Sequence, residues 1–260
     1  MTKNKPLILV TNDDGYQSKG ITSVVNSLIG LGEIVVVAPD GPRSGMSGAI
    51  TSIEPLRLRE ISRDSDNGIT VYACSGTPVD CVKLSVSQIL TRKPDLLVSG
   101  INHGSNASVC VLYSGTMGAA IEGALYGVPS IGFSLLDHHH NANFDHTSKY
   151  VHSISRKILE TSLPQSICLN VNIPHSSMPL KGIKVCQQAR GQFTEEFLKS
   201  VDGHNHNVYW LTGHFHNFEP ENTETDEWAL ANGYVSIVPI DVDMTAYEQV
   251  KKMKLLETLL

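Results

Sequence analysis

Short, unbroken apolar runs alternate with segments of helical spacing along the first two thirds of the chain. The first run covers residues 7–10 and contains only Leu, Ile and Val, which is typical of a strand buried on both faces. Similar runs follow at 34–38, 96–98, 130–134 and 167–171. Segments of helical spacing lie between them at 21–29, 79–90 and 116–125. This alternation predicts an α/β protein whose parallel sheet carries helices on both faces.

The chain changes in character after Pro174. Residues 175–233 are rich in Pro, Gly, Asn and His with isolated β-rich pieces, which indicates hairpins and long connections. The chain then ends with a predicted strand at 234–238 and a predicted helix whose apolar stripe is Val250, Met253, Leu256 and Leu260. We therefore predict a sheet core over 1–174 and a C-terminal extension over 175–260 that is not an independent domain.

Composition and charge exclude several classes of protein. The 260 residues include 20 Lys and Arg against 26 Asp and Glu, a net charge of −6, which argues against a broad basic surface for a nucleic-acid polymer. No apolar run approaches the roughly 20 residues that span a bilayer. The apolar run near the N-terminus is also too short for an export signal. We expect a cytoplasmic protein that does not associate with a membrane.

Two groups of soft metal ligands are poor candidates for a metal site. The five cysteines are widely spaced and contain no CxxC pair, so we expect free thiols rather than disulfides or a zinc site. Three successive histidines, 138–140, cannot all face one point on a regular element. We interpret this run as a solvated loop.

Two adjacent carboxylates, Asp13 and Asp14, directly follow the first predicted strand. The carboxylates repel each other, burial would remove their solvation, and a bound phosphate would add to the repulsion. A divalent cation resolves this conflict by supplying positive charge to both. The alternative is that one of the two acids only caps the following helix.

Two further loops, 39–48 and 99–106, follow predicted strands of the same sheet and are rich in Gly, Ser and Asn. Because the carboxyl ends of parallel strands meet at one edge, carboxylate, hydroxyl and amide oxygens would converge there. Such oxygen donors favour Mg²⁺ or Mn²⁺ over Zn²⁺ or copper. The alternative is that both are ordinary surface loops, where these residue types are common.

Ser114, Gly115 and Thr116 begin the third helical segment, which is made of small residues. Hydroxyls and unpaired N–H groups at a helix N-terminus form an anion site. Alone, this motif would be read as a simple N-cap, but acids and a metal at the same edge favour a phosphate cradle. The similar motif at 75–77 is interpreted as simple helix initiation, because Pro78 and Asp80 follow it.

Together these segments resemble the SurE (survival protein E) family of metal-dependent 5′/3′-nucleotidases. The resemblance is weak over 175–224 and is carried, in the family's order, by residues 11–15, 37–40, 43–45, 75–81, 94–104, 113–120, 169–174, 225–226, 233–237 and 243–246. It implies a Rossmann-like, mostly parallel sheet with a C-terminal β-hairpin and helix extension that is exchanged between subunits. A homodimer or homotetramer is therefore implied as well.

The resemblance also implies roles for individual residues. One divalent ion per subunit, Mg²⁺ or Mn²⁺, would be bound by Asp13, Asp14, Ser44 and Asn102. The substrate phosphate would be bound by Asn106, Ser114, Gly115 and Thr116. Asp13 and Asp14 would be catalytic, with one of them orienting a water as general base. A covalent aspartyl-phosphate route ranks lower, because adjacent acids fit a shared metal clamp better than a nucleophile with a separate acid.

The sequence thus predicts a metal-dependent phosphomonoesterase that hydrolyses nucleoside monophosphates to nucleoside and phosphate. It would be a 5′-nucleotidase, with activity on 3′-nucleotides left open. One alternative is a non-catalytic nucleotide-binding protein, because Val109 and Cys110 stand where many family members carry an acid. Another alternative is a dinucleotide-dependent oxidoreductase. It is less favoured, because the first turn has no GxGxxG motif and its two carboxylates would repel a pyrophosphate.

Overall fold

The structure is a computed structural model that describes residues 5–139 and 141–259. The helices within these residues are α1 (Lys19–Leu28), α2 (Pro78–Leu84), α3 (Gly115–Leu125), α4 (Ser148–Thr161), α5 (Asp226–Ala231) and α6 (Tyr247–Met253). The first seven strands are β1 (Leu7–Thr11), β2 (Glu33–Pro39), β3 (Leu58–Asp64), β4 (Ile69–Cys74), β5 (Leu96–His103), β6 (Ser130–Leu135) and β7 (Ile167–Ile173). The remaining strands are β8 (Gly182–Val185), β9 (Gly191–Thr194), β10 (Phe197–Val201), β11 (Asn207–Leu211), β12 (His214–Asn217) and β13 (Tyr234–Asp241).

Nine of these strands form one sheet in the order β3-β4-β2-β1-β5-β6-β7-β13-β8. The six central strands, from β4 to β7 in that order, pair parallel to one another. Strand β3 is antiparallel to β4, and β13 is antiparallel to β7. The predicted α/β fold with a mostly parallel sheet is therefore confirmed. Within the described part of the chain, no helix is long and apolar enough to cross a membrane.

Alternate residues of β1 face opposite layers of the protein, which explains why this strand is apolar throughout. Ile8 and Val10 belong to the core that includes helices α1 and α4. Leu7 and Leu9 belong to the core on the other face, where α2 and α3 pack. Strands covered on both faces lack polar alternation. The unbroken run at 7–10 thus marks a strand at the centre of a helix-covered sheet.

The structure adds two strands and shortens one predicted helix. Strands β3 and β4 have no counterpart in the sequence prediction. Strand β3 is exposed along its whole length and lacks an apolar face that could mark it. The helix predicted at 79–90 ends as α2 at Leu84 and continues as a wider π-type turn over Ser85–Ile89. At its start, Thr77 Oγ1 accepts a hydrogen bond from Asp80 N and Asp80 Oδ2 accepts one from Thr77 N, a capping box that supports simple helix initiation there.

The C-terminal part both completes the sheet and extends beyond it. Strands β8 and β13 lie beyond residue 174 and join the main sheet. The sheet therefore includes part of the C-terminal extension, and the division at 174/175 stays a prediction. The β10–β11 hairpin pairs only with itself and is almost entirely exposed. Helix α6 has no buried residue. Of its predicted apolar stripe, Leu260 lies outside the described residues.

Candidate active site

Asp13 and Asp14 lie in a tight turn at the carboxyl end of β1. The side chain of Asn12 shapes this turn, because its Nδ2 donates to Gly15 O at 3.1 Å and to Ser18 Oγ at 2.8 Å. In return, Gly15 N donates to Asn12 Oδ1 at 3.2 Å, and Gly15 has a φ of +98° that a larger residue would strain to adopt. Asp13 is buried, whereas Asp14 is half-buried. The turn therefore presents two carboxylates from one fixed piece of backbone.

A direct hydrogen bond joins Asp13 to the start of α3. Thr116 Oγ1 donates to Asp13 Oδ1 at 2.6 Å, and both residues are buried. Gly115 permits this approach, because a Cβ at position 115 would lie 2.9 Å from Asp13 Cβ. The acids after β1 and the N-terminus of α3 are thus in direct contact, while their shared role in one site stays a prediction.

Burial strongly affects the two carboxyl groups. It raises the pKa of Asp13 to about 6, an effect that the hydrogen bond from Thr116 opposes and the charge of Asp14 reinforces. Burial also raises the pKa of Asp14, against the effect of a hydrogen bond from the His103 backbone. Asp14 Oδ2 is buried and has no hydrogen-bond partner. Two crowded carboxylates with an unpartnered oxygen fit a cation, which would balance their charge.

The other two ligands predicted from the sequence, Ser44 and Asn102, carry neutral oxygens. Among the described residues, no cluster of three or more His, Cys, Asp or Glu side chains could hold a metal ion. An ion at Asp13 and Asp14 would therefore complete its coordination with hydroxyl, amide or water oxygens. That donor set matches a hard divalent cation.

Ser44 lies in the loop after β2, which is attached to the turn of Asp13. The backbone N–H of Arg43 donates to Asp13 O at 2.7 Å, so Ser44 follows directly after this contact and is exposed. Further along the loop, Ser47 N donates to Tyr113 O at 3.2 Å and Ser47 Oγ donates to Leu112 O at 2.7 Å. These bonds hold the loop between β1 and the start of α3.

Asn102 lies near the carboxyl end of β5 and is half-buried. Its Nδ2 donates to Gly104 O at 3.0 Å, so Oδ1 is the side-chain atom that could coordinate an ion. Strand β5 is the neighbour of β1 in the sheet, with Thr11 paired to Ser99. Asn102 therefore lies at the same edge of the sheet as Asp13 and Asp14.

The predicted phosphate-binding residues occupy two different settings. Ser114 is the N-cap of α3, and its Oγ accepts a hydrogen bond from Met117 N at 3.0 Å. Gly115 and Thr116 follow it against Asp13. Asn106 lies in the loop after β5, four residues beyond Asn102, and is buried. The structure thus brings Gly115 and Thr116 into contact with the acid pair, while Asn106 is held by other partners.

Buried polar side chains of β6 and β7 hold Asn106, and sequence patterns did not identify them. Asn106 Nδ2 donates to Ser134 Oγ, Asn106 N donates to Asn172 Oδ1, and Asn170 Nδ2 donates to Asn106 O, each at 2.8 Å. Asn172 Nδ2 also donates to Asn170 Oδ1 at 2.9 Å. Two Asn residues two positions apart in an otherwise apolar strand were the available signal, because buried amides need partners.

Asp226, at the start of α5, also holds the loop of Asn106, although the two residues lie far apart in the sequence. Its Oδ2 accepts a hydrogen bond from Ser108 N at 2.8 Å, and its Oδ1 accepts one from Ala189 N at 2.9 Å. Ser108 Oγ also donates to Ala189 O at 2.8 Å. The fully buried carboxylate therefore joins the loop of Asn106 to the C-terminal part of the chain.

The model of the family "Survival protein SurE" matches residues 8–195, well over half of the chain. The chain belongs to the SurE family. The resemblance seen in the sequence motifs is therefore confirmed.

Individual relatives match over nearly their whole length. "5′-nucleotidase SurE" of Bacteroides fragilis is 52% identical over 254 residues, which is 98% of each chain. The protein of the same name from Phocaeicola vulgatus is 48% identical, again over 98% of each chain. The crystal structure of the SurE protein from Aquifex aeolicus is 40% identical, with a TM-score of 0.83 over 97% of this chain and 100% of that one.

Proposed function

We propose that the protein is a phosphomonoesterase that hydrolyses nucleoside monophosphates to nucleoside and phosphate, acting as a 5′-nucleotidase. The observation that carries this proposal is the contact between Thr116 and Asp13, which places the N-terminus of a helix against a pair of crowded acids. Phosphate and a divalent cation would meet at that point. The same activity is the one for which the full-length relatives are named. Whether the protein also hydrolyses 3′-nucleotides is left to the phosphate-release experiment below.

The ligands proposed for one divalent ion per subunit are Asp13, Asp14, Ser44 and Asn102, with Mg²⁺ or Mn²⁺ as the ion. The unpartnered Asp14 Oδ2 and the raised pKa values of both acids support a cation here. When bound, the ion supplies positive charge that balances the carboxylates and polarises the phosphoryl oxygens. The hydroxyl of Ser44 and the Oδ1 of Asn102 would complete an all-oxygen donor set.

The chain's own residues then bind and orient the phosphate. The N-terminus of α3 at Gly115 and Thr116 would stabilise negative charge as the phosphoryl group is transferred, whereas the next N–H, that of Met117, already donates to Ser114 Oγ. Ser114 fixes this helix end through its cap, and Asn106 would add an amide donor from the other side. One of the two acids would orient the attacking water as general base, and Asp14 Oδ2 is the carboxylate oxygen that has no hydrogen-bond partner, whereas Asp13 Oδ1 already accepts the Thr116 hydroxyl.

Self-association is the proposed role of the C-terminal extension. The β10–β11 hairpin exposes apolar side chains that a monomer would leave in water, namely Phe197, Leu198, Val201, Tyr209, Trp210 and Leu211. Exposed apolar surface of this extent marks an interaction surface. A homodimer or homotetramer that exchanges the extension would cover it. The cytoplasmic location stays a prediction from the sequence.

Release of phosphate tests the proposal directly. The purified protein is incubated with a panel of 5′- and 3′-nucleoside monophosphates in the presence of Mg²⁺, Mn²⁺ or a chelator. We expect metal-dependent release that the chelator abolishes and that Asp13→Asn eliminates. The exposed acid Asp66 provides the control, since Asp66→Asn should retain activity. Nucleotide binding without phosphate release under any metal would instead establish the non-catalytic alternative.

A further inference from the structure

A cavity of about 550 Å³ opens beside Asp14, outside the contact between Asp13 and the start of α3. Besides Asp14, its walls come from four separate parts of the chain: the start of α1 (17–19), Pro42 after β2, His103 at the end of β5 and His138 after β6. Its volume lies within the roughly 300–1,000 Å³ typical of small-molecule sites. The cavity adjoins a proposed metal ligand, so a molecule in it would reach the reacting phosphate.

The two histidines in the wall are held by their surroundings. The ring of His103 packs edge-to-face against Phe144, with centroids 5.0 Å apart and planes at 85°. The ring of His138 lies directly over the backbone of Gly104, because a Cβ at position 104 would overlap that ring. Gly104 also has a φ of +103°. The absence of a side chain at Gly104 thus leaves the space that the exposed His138 ring occupies.

The chemistry of the walls suits a flat heterocycle joined to a sugar. Two imidazoles offer flat faces and the ring of Pro42 offers an apolar surface, while the amide of Gln17 and the Ser18 hydroxyl offer hydrogen bonds. Lys19 Nζ donates to Asn141 Oδ1 at 3.2 Å, which keeps its positive charge at the edge of the cavity. Asp14 is the one acid among the lining residues, and it lies at the end where a metal would balance it.

A second cavity near the site, of about 390 Å³, fits a nucleoside less well. It runs along the outer side of α3 and touches Ser114, but much of its wall is aliphatic, including Leu112, Ile121 and Met244. Of its two acids, Glu122 is paired with Lys83 Nζ at 2.6 Å, whereas Asp241 forms no ion pair among the described residues. A nucleotide placed there would meet the negative charge of Asp241.

We propose that the cavity beside Asp14 binds the nucleoside part of the substrate and that His138 is a specificity-determining residue that contacts the base. This inference rests on the proposed nucleotidase function and names the subsite that would separate nucleotides from other phosphate monoesters. Stacking of a base on a ring side chain changes binding by about ten-fold or more. The run of three histidines, interpreted from sequence as a solvated loop, thus contributes one exposed ring to substrate recognition.

Two substrates test the role of His138. With Mg²⁺ present, kcat and KM are measured for a 5′-nucleoside monophosphate and for glycerol 3-phosphate, a monoester without a base. For His138→Ala we expect kcat/KM to fall about ten-fold on the nucleotide, through KM, and to change less than about two-fold on glycerol phosphate. His138→Phe keeps a flat ring and should restore most of the nucleotide KM. The matched control is His139→Ala, since His139 is exposed and lies outside the cavity wall.

Binding of adenosine, measured by calorimetry on the same variants, tests the cavity independently of turnover. We expect His138→Ala to weaken adenosine binding and His139→Ala to leave it unchanged. Equal losses on both phosphate substrates, or unchanged adenosine binding in His138→Ala, would overturn the inference. Weaker binding in Leu112→Ala but not in His138→Ala would place the nucleoside in the second cavity. Absence of hydrolysis by the unmodified protein would contradict the proposed function, while the adenosine result would still decide the subsite.

Discussion

Thr116 Oγ1 donates a hydrogen bond to Asp13 Oδ1 at 2.6 Å, and this bond connects residues 103 positions apart. It joins the turn after the first strand to the N-terminus of α3, so the acid pair and the proposed phosphate-binding residues Gly115 and Thr116 are held in fixed relation. Because both residues are buried, water cannot replace the lost partner easily when one of them is changed. The bond is therefore a sensitive point for activity.

Replacing Thr116 with Val keeps the shape of the side chain and removes the hydroxyl. We expect kcat/KM for nucleoside monophosphates to fall about 10²- to 10³-fold, the usual cost of removing one preorganised donor from a charge-stabilising site. Thr116→Ser keeps the hydroxyl and should retain activity within about ten-fold. Phosphate-release kinetics on both variants, with thermal unfolding to verify folding, make the comparison. Similar kinetics for the Thr116→Val and Thr116→Ser variants would show that the hydroxyl is dispensable.

Adding one methyl group at Gly115 should disturb the site more than its size suggests. A Cβ there would lie 2.9 Å from Asp13 Cβ, so α3 or the acid turn must move. We expect Gly115→Ala to reduce activity strongly and to lower the free energy of unfolding by about 1–3 kcal/mol. Gly41→Ala is the control, because nothing lies within 4 Å of a Cβ at that position. Equal stability and activity in the two variants would contradict the close approach.

Asn172 should act on the substrate through Asn106. It accepts the Asn106 N–H at 2.8 Å and donates to Asn170 at 2.9 Å, so Asn172→Ala leaves buried groups without partners. We expect the free energy of unfolding to fall by about 1–3 kcal/mol, with a rise in KM as Asn106 loses its position. Urea unfolding and steady-state kinetics measure the two effects. Asn207→Ala, on the exposed hairpin, should change neither, and an unchanged KM in Asn172→Ala would separate this network from phosphate binding.

Glu227 should make stability depend on pH. Burial, reinforced by the charge of Asp226, raises its pKa from 4.5 to about 7. The folded protein therefore binds this proton more tightly than the unfolded chain, and its contribution to stability is lost as pH rises from about 4.5 through 7. Each pKa unit changes the free energy of unfolding by about 1.4 kcal/mol. Partial exposure of Glu227 to solvent makes the actual change smaller.

Glu227→Gln removes this titration without changing the shape of the side chain. We expect the variant to be more stable than the unmodified protein by about 1–2 kcal/mol at pH 8, and the difference to shrink toward pH 5. Urea unfolding across that pH range measures it. The exposed Glu221 gives the control, since Glu221→Gln should shift stability equally at both pH values. A difference independent of pH would rule out Glu227 as the titrating group.

The core of the fold was predictable because its signals are local. Strand β1 is buried on both faces, so its sequence is apolar throughout and marks the centre of the sheet. Strand β3 lies at the sheet edge and is exposed along its length, so neither burial nor alternation marks it. The acid pair and the start of α3 could be placed at one edge of the sheet from strand order alone, because parallel strands end on the same side.

The contacts that hold the site were not predictable in this way. Asn106 is held by residues 28 to 66 positions away, and a single sequence does not show which distant amides will face each other. The same holds for Asp226, whose carboxylate reaches Ser108 across 118 positions. Residue types could indicate the chemistry of the site, whereas its rigidity depends on pairings that only the folded chain reveals.

The β10–β11 hairpin should determine the oligomeric state. Leu198 and Trp210 face each other across its two strands and are 60% and 64% exposed, so they lie on an apolar surface that the described residues of one chain leave uncovered. Changing both to Glu should leave the 28.3 kDa chain folded but monomeric, whereas the unmodified protein should have a mass that is a multiple of this value in light scattering. The control carries two Glu substitutions at the exposed α4 positions Ser153 and Lys157 and should keep the oligomeric mass. A monomeric unmodified protein, or a hairpin variant of unchanged mass, would show that this surface serves another purpose.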